Sequence, residues 1–239
     1  RIERVRALMV ERGYDAIVVR DEANLRWLTG VKGVFDYTFE FPHAAFITAD
    51  QCLFHTDSRY LNSFEENTPA GSPWVYDMDE GTIPGWVAGK IAANKCRVCA
   101  VEDDMQINFY QGIQRGLEDR SVACMLPLMH DDIRKMRAIK DAEEIELMRH
   151  AQSITDAAFQ HMLGFIKPGM TEKQVRNELE NFMFANGADS LAFGSIVASG
   201  PNTANPHAVP SDRVIEKGDF VSYNVGDGTT VKEVAEALT

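Results

Sequence analysis

The sequence holds 239 residues, 45% of them hydrophobic and 25% charged, with a formal net charge of -12. That length leaves room for two ordinary domains, each with its own core, and no apolar run approaches the roughly 18 residues that a membrane span requires. Lys and Arg are interleaved with a larger number of acids, which argues against a nucleic-acid binder and serves solubility.

Ile2, Val5, Leu8 and Met9 stand at helical spacing before a stop at Gly13, and Ala16 to Val19 reads as an apolar strand. Ala44 to Thr48 and Leu53 to Thr56 predict two strands around a turn at Asp50. Pro84 to Ala93 predicts a helix with proline in its first turn. Arg97 to Val101 and Val122 to Leu126 read as strands, with a helix marked by Ile107, Tyr110, Ile113 and Leu117 between them. The alternation predicts an α/β domain over about residues 1–131, and nothing in it matches a dinucleotide or phosphate-loop fingerprint.

After Pro127 to Asp132 the pattern changes. Ala142 to Leu163 predicts a long helix with Ile145, Met148, Ala151, Thr155, Ala158, Phe159 and Met162 on one face. A second helix is announced by a capping box, Thr171 with Gln174, and by Met170 placed to staple onto Val175; its apolar face holds Val175, Leu179 and Phe182. An apolar stretch follows from Leu191 to Ala198, then a Gly, Pro and Asn-rich loop from Ser199 to Pro210, and a strand from Phe220 to Val225. The segment Gly169 to Leu179 is echoed by Gly228 to Leu238, again with a capping box, here Thr230 with Glu233. The echo fits either a duplicated half-domain or two ordinary capping boxes after glycine.

Cys52, Cys96, Cys99 and Cys124 are too few for a disulfide framework and fit a reducing, cytoplasmic compartment. Cys96 and Cys99 form a C-x-x-C that flanks a strand without a second pair, so buried structural thiols are expected rather than zinc. Arg1 stands where a natural start would have Met, which leaves the true N-terminus open.

The informative loop is Ser199-Gly-Pro-Asn-Thr-Ala-Asn-Pro-His207, which sets a histidine between Pro206 and Pro210. Imidazole passes protons near neutrality, and a stiff loop limits the entropy that is lost on reaching a transition state. Around it stand Arg134-x-x-Arg137-x-Ile139-Lys140-x-x-x-Glu144-Ile145, Ile166-Lys-Pro-Gly-Met-Thr-Glu172, Phe193-Gly-Ser-Ile-Val-Ala-Ser-Gly-Pro-Asn202 and Gly218-Asp219-Phe220-Val221. In order and spacing these resemble the catalytic domain of the pita-bread metallohydrolases, the creatinase and Xaa-Pro peptidase family. Asn24-Leu-Arg-Trp-Leu-Thr-Gly30 and Thr56-Asp-Ser-Arg-Tyr60 resemble that family's N-terminal domain.

The resemblance implies a creatinase-like α/β domain over 1–131 followed by an incomplete α+β pita-bread domain over 132–239. It implies a hydrolase of the Xaa-Pro bond in which two divalent ions, manganese, cobalt or zinc, activate water while a histidine steadies the substrate. His207 matches that histidine as the catalytic candidate, and Phe193 lies on the strand that lines the family's substrate pocket, where plain core is an equal reading. The family's first metal aspartate falls in register with Asn224, a neutral amide that cannot bridge two cations. Asp227, Glu233 and Glu236 follow, but no histidine does.

The expectation is therefore a chain that binds no metal and is inactive as it stands, with Gly226 to Gly228 joining a first-half strand directly to a helix start at Thr230. Its partners are expected to be a peptide with proline at the second position and a second copy of itself, with no nucleic acid and no membrane. Two other readings stay open: a creatinase-like, metal-independent C–N hydrolase that relies on the histidine, and a non-catalytic peptide-binding or dimerisation module.

Overall fold

A computed structural model describes residues 1–31, 34–35, 42–78 and 81–224. The chain forms two compact units, one ending at Ile139 and one beginning at Lys140.

The first unit is an α/β domain. Helix α1 (Ile2–Arg12) ends at Gly13, whose φ of 71° lets its N–H return to the Met9 carbonyl. Strand β1 (Ala16–Val19) is buried along its whole length. Next come helix α2 (Glu22–Thr29), strands β2 (Ala44–Thr48) and β3 (Cys52–His55), helix α3 (Leu61–Asn67), and the short strand β4 (Val75–Tyr76). Helix α4 (Ile83–Ala93), strand β5 (Cys99–Val101), and helices α5 (Ile107–Asp119) and α6 (Asp132–Ala138) complete the unit. The strands form one mixed sheet in the order β4-β3-β2-β1-β5, antiparallel from β1 through β3 and parallel at β1/β5 and β3/β4.

Alternation along the strands explains why β1 is apolar throughout. Ile17, Val19, Ala45, Ile47 and Phe54 face one core with Val5 and Met9 of α1, Leu25 of α2 and Ile133 of α6. Ala16, Val18, Ala44 and Phe46 face the other, with Trp86 and Ile91 of α4 and Ile113 and Leu117 of α5. A sheet covered on both faces needs hydrophobes at every position. Helices α4 and α5 approach so closely at Gly116 that a Cβ there would meet the Ala88 Cβ at 2.8 Å.

Several expectations change. The segment from Val122 to Leu126 lies alongside β5 but pairs with the sheet only through isolated bridges, Val98 with Met125 and Val101 with Leu128. Pro127 has no N–H to offer, which interrupts a regular ladder there. Helix α6 belongs to the first unit, since Arg137 Nη1 donates to Asn24 Oδ1 at 2.7 Å, so that unit runs one helix past residue 131.

The second unit opens with helix α7 (Ala142–Phe165), started by a capping box between Asp141 and Glu144. Helix α8 (Glu172–Ala185) starts with the expected box between Thr171 and Gln174. Strands β6 (Ile196–Ser199) and β7 (Val221–Asn224) pair antiparallel, with Ile196 opposite Asn224 and Ser199 opposite Val221. The core joins Ile154, Ala158 and Met162 of α7 to Val175, Leu179 and Met183 of α8 and Val197 of β6. The buried stripe of α7 thus includes Ile154, while Ile145 and Phe159 are 38% and 45% exposed. Among the described residues no helix is long and apolar enough to cross a membrane. The expected junction at Gly226 to Gly228 and helix start at Thr230 lie outside the described residues.

Candidate functional site

The hairpin of β6 and β7 carries the site. Leaving β6, the chain turns at Gly200 (φ 50°) into a short 3-10 segment, Gly200–Ala204. A Cβ at Gly200 would lie 2.5 Å from Arg213 Nη2 and 2.6 Å from Asp219 Oδ1, so only glycine lets the loop pass. Arg213 Nη1 donates to Asp219 Oδ2 at 2.6 Å and to Ser199 Oγ at 2.6 Å, tying the entry of β7 to the exit of β6. The Arg213 guanidinium, helped by the Glu216 N–H, holds the Asp219 carboxyl below its ordinary range.

Beneath this loop sits Glu172, the first residue of α8 and fully buried. Its Oε1 accepts from the Ser199 N–H at 2.7 Å, the Ser199 hydroxyl at 2.9 Å and Asn202 Nδ2 at 3.0 Å. Its Oε2 accepts from the Ser211 hydroxyl at 2.6 Å and the Ser211 N–H at 3.0 Å. Burial alone would raise this carboxyl, but the Ser211, Asn202 and Ser199 donors outweigh it and hold the pKa at about 2. One anion thereby fixes both ends of the segment that carries His207.

His207 is exposed, and its N–H donates to Asn205 Oδ1 at 3.0 Å in a local turn. A cavity of about 560 Å³ opens beside it, within the range of small-molecule sites. His207, Phe193 and Asn224 all border this cavity, together with Ser195 and Pro210. Phe193 is 45% exposed. Ser195 is buried, and its hydroxyl has no hydrogen-bond partner among the described residues.

The side chains around the cavity offer one imidazole, the neutral Asn224 amide and the single carboxylate of Glu180, a set that does not suit a pair of divalent cations. Among the described residues no three His, Cys, Asp or Glu side chains come together as a metal cluster. Asp227, Glu233 and Glu236 lie outside the described residues. The C-x-x-C cysteines are buried free thiols; burial pushes Cys96 up to about 11 and holds Cys99 well above the ordinary thiol range, which makes them poor nucleophiles and poor ligands.

The loop histidine is legible in the sequence, but its brace is not. Glu172 was visible as a residue of the motif and of a helix start, yet its donors lie 27 to 39 residues further along the chain. Arg137, another motif residue, belongs to the first unit's core: it lies 3.5 Å from Asp21 and bonds Asn24, which also donates to the buried Glu102 at 2.8 Å.

A mixed-sheet α/β unit is followed by an α+β unit in which two long helices back a hairpin and a histidine loop. Comparison with known proteins gives the family. The Creatinase/Prolidase N-terminal domain profile matches residues 1–139 and that of metallopeptidase family M24 matches residues 146–228. The chain belongs to this family. It is similar to the uncharacterized peptidase YqhT of Bacillus subtilis, 32% identical over 95% of this chain and 60% of that protein. Its fold is similar to the Xaa-Pro dipeptidase from Bacillus anthracis (TM-score 0.83, 31% identity, 96% of this chain and 61% of that one). It is also similar to the X-Pro aminopeptidase from Thermotoga maritima (TM-score 0.79, 28% identity, 96% and 62%). The chain thus spans about three fifths of the length of these relatives.

Proposed function

We propose that this chain is the peptide-recognising part of a proline-specific peptidase. It takes peptides with proline at the second position into the cavity beside His207, and does not by itself hold the pair of divalent cations that hydrolysis of the Xaa-Pro bond requires. The observation that carries this reading is the convergence of His207, Phe193 and Asn224 on one cavity. The Phe193 ring offers an apolar face to a proline ring. The His207 imidazole, on a loop braced by Glu172, can donate to the carbonyl that precedes proline, with little freedom left to lose. A proline amide has no N–H, so a pocket that contacts the ring and the carbonyl selects it without needing a donor there.

Four free cysteines support a reducing, cytoplasmic setting. Exposed Phe184 and Phe220 on the second unit support association into a homodimer.

Calorimetric titration with Gly-Pro and with its reverse, Pro-Gly, tests the reading. Gly-Pro is expected to bind at least about tenfold tighter, and His207→Ala to remove most of that preference. Equal affinity for the two orders, or a preference untouched by His207→Ala, would overturn it.

A further inference from the structure

Helix α8 brings an arginine and a glutamate to the same cavity. Arg176 and Glu180 both border it, and both are partly buried. The Arg176 guanidinium donates to the neutral Asn177 Oδ1 at 3.1 and 2.7 Å, which leaves its charge uncompensated. Among the described residues neither Arg176 nor Glu180 forms an ion pair, and they do not pair with each other. Opposite charges four residues apart on a helix can close across the turn, less readily with the basic residue first. These two remain separate, with the cavity before them.

Their backbone spacing along the helix suits a short ligand. Four residues of helix rise about 6 Å. A dipeptide, extended at about 3.3–3.6 Å per residue, carries its ammonium and carboxylate roughly 6–7 Å apart, whereas a tripeptide spreads them to roughly 10 Å. Ser195 adds a second, independent mark: a buried hydroxyl in the cavity wall without a partner among the described residues, available to a peptide backbone group.

We propose that Arg176 and Glu180 are specificity-determining residues that grip the two free ends of a dipeptide, the α-carboxylate on Arg176 and the α-ammonium on Glu180, with Ser195 bonding the backbone between them. The inference rests on the reading of the cavity as an Xaa-Pro peptide site and adds a length restriction to it. A charged clamp one turn long rejects peptides whose ends do not reach both charges, because the unmet charge would then be held in the cavity without a partner.

The test is calorimetry on the full 239-residue chain with Gly-Pro, Gly-Pro amide, N-acetyl-Gly-Pro and Gly-Pro-Gly. Each terminal block, and the added residue, is expected to weaken binding about tenfold. Arg176→Gln is expected to lower Gly-Pro affinity about tenfold while leaving Gly-Pro amide unchanged, and Glu180→Gln to do the same with the acetylated peptide as the insensitive ligand. This crossed pattern would not arise from a merely structural role. Should a variant fail to fold, the wild-type ligand series decides alone. Gly-Pro amide, N-acetyl-Gly-Pro and Gly-Pro-Gly binding as well as Gly-Pro would overturn the clamp and leave the proline reading standing. Binding of none of the four would overturn both.

Discussion

Glu172 and Ser199 are 27 residues apart in sequence, yet one carboxylate oxygen of Glu172 accepts from both the N–H and the hydroxyl of Ser199, at 2.7 and 2.9 Å. The other oxygen holds Ser211 in the same way. A buried anion is tolerable only with such a full complement of donors. Here it joins the start of a helix to both flanks of the histidine loop.

This brace should make the second unit acid-sensitive. Glu172 is held at about 2 against an ordinary value of 4.5. A depressed carboxylate contributes stability that is fully present above the unfolded value and is lost as pH falls through the folded one. Its contribution, on the order of 2–3 kcal/mol, should fade between pH 4.5 and 2. Glu172→Gln should lower the urea midpoint at pH 7 and show a much flatter acid limb than wild type. An unchanged limb would remove Glu172 from the account.

The first unit should respond to pH in the opposite sense. Glu102 is buried and raised from 4.5 to about 7, burial outweighing the donors Asn24, Arg20 and Asp21. A raised carboxyl stabilises below its unfolded value and loses that contribution as pH climbs through the folded one. Amides around β1 and β5 should therefore exchange faster, relative to their intrinsic rates, at pH 8 than at pH 5, and Glu102→Gln should shrink the difference. Hydrogen exchange resolved by mass spectrometry measures this unit apart from the other.

These two carboxyls also mark where the sequence became hard to read. Strand β1 and the start of α8 were legible because their signals are local: a run of four apolar residues, and a hydroxyl three positions before a glutamine. Helix α2 was visible only as a motif, since Asn24, Arg26 and Thr29 break any apolar period and yet are all buried. Arg26 is reconciled to the core by its bonds to Glu22 at 2.8 and 2.9 Å and by stacking over Phe35. On α7 the apolar residues populate two neighbouring stripes, and only packing against α8 decides that Ile154 goes inside and Phe159 stays half-exposed. The histidine loop could be named from its prolines, but its brace depended on donors brought near only by folding.

Phe193 separates binding from stability. At 45% exposed, truncation to alanine should leave the thermal midpoint nearly unchanged. It should weaken Gly-Pro binding roughly three- to tenfold, about 1 kcal/mol of lost apolar contact. A large drop in the melting temperature with unaltered affinity would make Phe193 a packing residue and nothing more.

Association is expected through the second unit, where Phe159, Leu163, Phe184 and Phe220 are 45, 62, 47 and 85% exposed. Light scattering coupled to size exclusion should give twice the 26.7 kDa chain mass. Phe220→Ser with Leu163→Ser should shift the population toward the monomer. A monomer at tens of micromolar wild-type protein would contradict this.

Recognition of Xaa-Pro peptides without a resident metal pair is the central claim, and metal content measured alongside peptide binding and hydrolysis tests it most directly. After dialysis against manganese or zinc, mass spectrometry should find fewer than one bound metal per chain. The same sample should bind Gly-Pro and leave both it and an Xaa-Pro tripeptide intact. About two metals per chain with turnover of either peptide would contradict the account and show that residues beyond the described cavity complete a working metal centre.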